Sequence, residues 1–111
     1  MTRSSSVIAP APAGAGAMTE LDRVIHEPAR LALVALLTGV RSADVLWLER
    51  ESGLTRGNLS SHLSRLEEAG YVAIEKTFKG KVPLTLVSLT APGRKAFADY
   101  RRQMTSLLAR D

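Results

Sequence analysis

The sequence predicts a mostly α-helical domain with one β-hairpin and a long C-terminal helix. Three observations carry that expectation. Between Thr55 and Ala69, Leu59, Leu63 and Leu66 recur at helical spacing, with polar residues opposite them. From Tyr71 to Phe78, apolar and polar residues alternate, and Leu84 to Leu89 returns after Lys79-Gly80-Lys81. From Ala91 to Ala109, Phe97, Tyr100, Met104, Leu107 and Leu108 line one side of a helix. A chain of 111 residues, 45% of them hydrophobic, supports one modest core and not two.

Taken in order, residues 1–18 form a tail rich in Ala, Pro, Gly and Ser. Pro10 and Pro12 interrupt its apolar run, which is unlike the central segment of a signal peptide, so the expectation is disorder. Met18 is an alternative start, because folded patterning begins beside it. The folded domain is expected over 19–111. Thr19 to Ile25 reads as a helical turn or two, with Leu21, Val24 and Ile25 inward. Pro28 suits the first position of the next helix, which runs to Leu37, is apolar nearly all round, and ends at Gly39. Ser42 and Asp44 are alternative caps for a short helix, Val45 to Glu51, that turns Leu46, Trp47 and Leu48 partly inward. Gly53-Leu54 then makes a tight turn. Thr55 is the expected N-cap of the leucine-striped helix, and Gly70 its left-handed exit. In the hairpin, Val72, Ile74 and Phe78 face one way and Pro83 suits an edge strand. Thr90 caps the last helix, with Pro92 in its first turn.

Two short helices, a glycine turn and a second helix with outward polar groups make a helix-turn-helix pattern. With the hairpin and the last helix added, the order is that of a winged helix-turn-helix ending in a long dimerisation helix. The plainer alternative for Thr55–Ala69 is a solvated amphipathic helix, since Ser and Asn are common on exposed faces.

Composition narrows the function classes. There is no cysteine, so disulfides, thiolate metal sites and cysteine nucleophiles are excluded. Net charge is +4 and the pI about 10.0, a balance that favours a polyanionic partner. Aromatic residues make up 5%, too few for a single-strand stacking platform. No apolar run approaches the roughly 20 residues of a membrane span, and a cytoplasmic protein with no membrane partner is expected.

Three passages resemble a known family: Leu21-Asp-Arg-Val-Ile-His-Glu-Pro-Ala-Arg-Leu31, Leu54 to Val72, and Ile74 to Thr85 with Leu89-Thr90 and Gly93-Arg94. In that order they resemble the small winged-helix transcriptional regulators of the MarR/ArsR-like superfamily. The resemblance covers nearly everything from Leu21 to Phe97. It implies a homodimer that binds double-stranded DNA, and a small-molecule or protein effector as a further partner. Metal-sensing members use cysteines or clustered histidines and carboxylates. Here His26 and His62 are the only histidines, so no metal and no cofactor are expected.

The recognition-helix candidates are Thr55, Arg56, Asn58, Ser60, Ser61, His62, Ser64 and Arg65. Arg can read guanine O6/N7 and Asn adenine N6/N7, whereas Ser60 and Ser64 suit phosphate. His62 lies at the edge of the leucine stripe, and helix packing competes with a phosphate contact there. Lys76, Lys79 and Lys81 would place positive charge on the wing, where a charged edge against aggregation is the competing role. Leu21, Val24, Ile25, Phe97, Tyr100, Met104, Leu107 and Leu108 are the candidate dimer interface, packing within one chain being the alternative. The expected function is a sequence-specific transcriptional regulator, a repressor by preference. The rival is a winged-helix protein-interaction module. An enzyme is not expected, because the adjacent Ser61 and His62 point about 100° apart on a helix and cannot act as nucleophile and base.

Overall fold

The computed structural model describes residues 21–109, so the tail expected over 1–18 lies outside the described residues. The elements are α1 (Pro28–Thr38), β1 (Ala43–Asp44), α2 (Val45–Ser52), α3 (Arg56–Glu68), β2 (Val72–Lys79), β3 (Val82–Leu89) and α4 (Ala91–Leu108).

Ahead of α1 the described chain from Leu21 makes a single turn, within the turn or two expected there. His26 N–H donates to the Asp22 carbonyl at 2.7 Å. Asp22 Oδ1 accepts from the backbone N–H groups of Val24 and Ile25, which stops the turn from extending as a ladder. Pro28 opens α1 as expected. The cap before it is Glu27, whose extended backbone lets its carboxylate accept from Arg30 N–H at 2.8 Å. That contact, the largest influence, holds the Glu27 carboxyl below the usual range, against the opposing effect of desolvation. Leu33, Val34 and Leu37 bury one face, but Ala32 and Ala35 are exposed. The helix is thus one-sided. Its apolar run misleads because alanine is both hydrophobic by count and cheap to expose.

Asp44, rather than Ser42, caps α2 by accepting from Leu46 N–H at 2.9 Å. Leu48 is fully buried, Trp47 half-buried, and Leu46 faces solvent, contrary to its expected inward turn. Gly53 closes α2 at φ +73, a conformation that suits glycine. Thr55 caps α3 as expected, accepting from Asn58 N–H at 3.2 Å. Leu59, Leu63 and Leu66 are buried along its inner face. At the exit, Gly70 (φ +81) donates to the Glu67 carbonyl and Tyr71 N–H to that of Leu66, the paired bonds of a Schellman motif.

The sheet order is β1-β3-β2, antiparallel throughout. β2 and β3 pair from Val72↔Leu89 out to Lys79↔Val82, leaving Gly80 and Lys81 as a two-residue turn. β1 adds a third strand that the sequence did not signal, through Ala43↔Val87 and Asp44↔Leu86. It covers only the inner end of β3. Pro83 therefore sits at an open edge although β3 is central in the order, and its missing N–H costs no ladder bond on that side.

Thr90 caps α4, accepting from Gly93 N–H at 3.0 Å and donating to the Gly70 carbonyl at 2.6 Å. The helix then packs hard against the Tyr71 backbone. A Cβ at Gly93 would stand 2.1 Å from the Tyr71 carbonyl oxygen. Tyr71 also hydrogen-bonds Asp22 through its hydroxyl, so one residue ties together the N-terminal turn, the α3 exit and the α4 start. Donation to Asp22, with partial burial, pushes its hydroxyl pKa up to about 12. Leu21, Ile25, Leu33, Leu37, Leu48, Leu59, Leu66, Val87, Phe97 and Tyr100 belong to one continuous core. No helix among the described residues is long and apolar enough to cross a membrane.

Candidate nucleic-acid interface

The inner stripe of α3 anchors the helix, and its outer side is left open. Thr55, Arg56, Gly57, Asn58, Ser60, Ser61, Ser64 and Arg65 are all exposed. This face is free of large apolar groups and rich in donors, which are the requirements for entering a major groove. Two members are already engaged, Thr55 as the α3 cap and Arg56 in an ion pair. The Arg56 guanidinium meets Glu49 of α2 at 3.1 Å, with the arginine side chain 68% exposed. In that setting the pair is weak, and a phosphate or base edge could displace it. Arg65 has no carboxylate within salt-bridge distance among the described residues.

His62 stands apart from this face. It is half-buried, with Nδ1 accepting from Arg30 Nη1 at 3.2 Å and lying 3.8 Å from Glu27 Oε1. Arg30 in turn donates through Nε to the Val24 carbonyl at 2.6 Å. The ring thus locks α3 to the N-cap of α1. Of the two roles open to it in the sequence, the geometry favours packing.

Beside α3 the hairpin projects as a wing. Lys76, Lys79 and Lys81 are exposed, and none has a carboxylate within salt-bridge distance among the described residues. Between helix and wing runs a groove of about 450 Å³, with Leu59, Leu63 and Ile74 on its floor. Ser60, Ser64, Lys76 and Thr85 offer donors along its walls, and Glu67 stands at one end. The structure thus brings Arg56, Ser60 and Ser64 together with Lys76 around this groove, whereas Thr55, Asn58, Ser61 and Arg65 do not line it. Lys79 and Lys81 sit further out, at the hairpin end. Phe78, expected to pack inward with Ile74, is instead 67% exposed. Its strand face is right, but the register carries it past the helices that would have covered it.

The expected dimer surface needs a larger correction. Leu21, Ile25, Phe97 and Tyr100 are buried inside their own chain, Ile25 completely and Tyr100 to 4% exposure. Tyr100 also shares a 2.8 Å hydrogen bond with His26 Nδ1. The domain needs these side chains for its core and has none of them to spare for a partner. Val24, Met104 and Leu107 remain half-buried, and Leu108 is 74% exposed. The surface available from that set is therefore the distal end of α4, with Val24 on the N-terminal turn as a separate, half-buried member.

A helix-turn-helix whose second helix exposes donors beside a lysine-bearing hairpin defines a class, the winged-helix DNA-binding domains. The chain belongs to that family. The model of the winged helix DNA-binding domain matches residues 29–108. The chain is 35% identical over 86 residues to the uncharacterized protein MJ0432 of Methanocaldococcus jannaschii, covering 77% of this chain and 92% of that one. It is also 33% identical over 91 residues to the uncharacterized HTH-type transcriptional regulator YcgE of Bacillus subtilis. That match covers 74% of this chain but 58% of YcgE. Among solved structures, a transcriptional regulator homologue from Pyrococcus horikoshii OT3 superposes with a TM-score of 0.79 at 25% identity. The superposition covers 84% of this chain and 94% of that one. The fold and family expected from the sequence are borne out, and the chain is a member of the winged-helix transcriptional regulators.

Proposed function

We propose that this chain is a homodimeric, sequence-specific DNA-binding regulator that acts as a repressor. The carrying observation is the exposed donor face of α3 set beside a wing with three uncompensated lysines. In this reading Arg56, Asn58, Ser61 and Arg65 contact base edges in the major groove. Thr55, Ser60 and Ser64 contact phosphate at its rim, and the wing lysines neutralise flanking phosphates. Two copies joined through the distal α4 surface would set their α3 helices about 34–36 Å apart and select a near-palindromic site. A bound dimer covering such a site excludes polymerase from it. An effector, small molecule or protein, would act by favouring a different spacing of the two helices.

The test is fluorescence anisotropy with the duplex upstream of the protein's own gene, against a shuffled duplex, over a salt series. The regulator reading expects tighter binding to the native duplex. Arg56→Ala and Arg65→Ala should narrow the gap between the two, and Lys79→Ala should flatten the salt dependence. Failure to bind either duplex at low salt would overturn it in favour of a protein-interaction module.

A further inference from the structure

The wing ends in apolar surface. Phe78 is 67% exposed and Val82 65%. Across the hairpin Lys79 pairs with Val82 directly beside the Gly80-Lys81 turn, and Phe78 with Pro83 one position further in. Strand alternation sets Phe78 and Pro83 on the same sheet face as Ile74, Lys76 and Thr85. Nearer the core, that face forms the wall of the groove along α3. Phe78 adds nothing to the core, and an aromatic ring left at the free end of a hairpin is an aggregation hazard unless something covers it.

We propose that Phe78 and Pro83 form a wedge with which the wing enters the minor groove of duplex DNA, prying at a base step and bending the duplex. This rests on the DNA-binding reading above and adds the manner of engagement. Charge chooses the occupant. Lys79 and Lys81 lie at the tip, Lys79 on the sheet face opposite Phe78, and Lys76 lies nearer the core on the Phe78 face; none has a carboxylate partner among the described residues. The hairpin's one carboxylate, Glu75, lies on the opposite face, nearer the core. A protein partner enclosing the tip would have to desolvate the neighbouring lysines, and lysine is depleted at the centres of such interfaces. Phosphates on either side of a minor groove would pair with the same lysines while the ring met sugar and base edges. Shape agrees with charge. The groove is about 6 Å wide, admitting a hairpin tip but not a sheet. The two-residue turn, made possible by Gly80 at φ +64, keeps this tip narrow. Phe and Pro are both side chains that serve as wedges at kinked steps.

The experiment uses the full chain and a 30-base-pair duplex, the length being about three helical turns, carrying a fluorophore at each end. Anisotropy reads affinity over a salt series, and energy transfer between the ends reads bending. Phe78→Ser should weaken binding about tenfold and straighten the duplex, with the salt slope unchanged because no cation is lost. Phe78→Leu, itself able to act as a wedge, should restore most of both. Lys79→Ala should lower the salt slope by about 1 while the bend persists. Pro83→Ser provides a second removal of the wedge, should Phe78→Ser fold poorly. Wild-type affinity and bending in both serine variants would overturn the wedge and leave the tip to a protein partner. Weaker binding with an unchanged bend would overturn it as well. Absence of binding by the unaltered chain to any duplex would instead remove the regulator reading itself.

Discussion

At the scale of single residues, Tyr71 and Gly93 hold the most of the fold for their size. The α4 backbone approaches the Tyr71 carbonyl so closely that only a hydrogen fits at Gly93, where a Cβ would stand 2.1 Å from the oxygen. The obstacle is backbone, so no rotamer change relieves it. Gly93→Ala is expected to cost about 3 kcal/mol, read as a lower urea midpoint with unchanged slope. Ser61→Ala, on an exposed face, should stay within about 0.5 kcal/mol of the parent. The Tyr71 hydroxyl makes a second, pH-dependent prediction. Its pKa rises from 10.0 to about 12 on folding, mainly through donation to Asp22. The folded chain therefore keeps this proton where the unfolded chain has lost it. The stabilisation is complete below pH 10.0 and disappears as pH climbs towards about 12. Thermal melts across that window should show Tyr71→Phe losing stability less steeply than the parent. A residual slope should remain in the variant, because burial also raises the Tyr100 pKa.

At the scale of elements, α3 keeps its buried leucines and its exposed polar residues on separate faces, and substitutions should separate their effects. Leu63→Ala removes a buried anchor and should cost about 2–5 kcal/mol of stability. Asn58→Ala on the outer face should leave the melting temperature unchanged while giving up about 1–3 kcal/mol of discrimination between duplexes. Loss of stability in the second variant, or of specificity alone in the first, would show that the faces are not independent. This separation was legible from the sequence because α3 carries three signals that agree: leucine spacing, a Thr cap and a Gly exit. The hairpin was legible for the same reason, through alternation on both sides of a glycine turn. β1 was not, since two residues are too few to show a period. Phe78 marks a different limit. Alternation tells which face a residue occupies, whereas the register and the reach of neighbouring helices decide whether that face is covered. Glu27 was missed as a cap because glutamate is not among the preferred capping types.

At the scale of the whole molecule, the stripe on α4 decides how copies of the chain can meet. Its periodicity announced burial but could not say against what. Phe97 and Tyr100 are consumed by the chain's own core, so a two-fold contact through α4 has to use Met104, Leu107 and Leu108 near its end. A contact confined to that end would leave both α3 helices unobstructed and joined through a single lever, so small rotations there would change their spacing. Leu107→Glu combined with Leu108→Glu sets like charges facing one another across such a contact and touches no fully buried side chain. Sedimentation velocity should then report a monomer in place of a dimer, with the far-ultraviolet circular dichroism unchanged. Duplex binding should lose its dependence on half-site spacing while the monomer keeps its weaker, salt-sensitive affinity. A variant that still sediments as a dimer would place the interface elsewhere. A parent chain that sediments as a monomer at micromolar concentration would remove the basis for expecting a palindromic site.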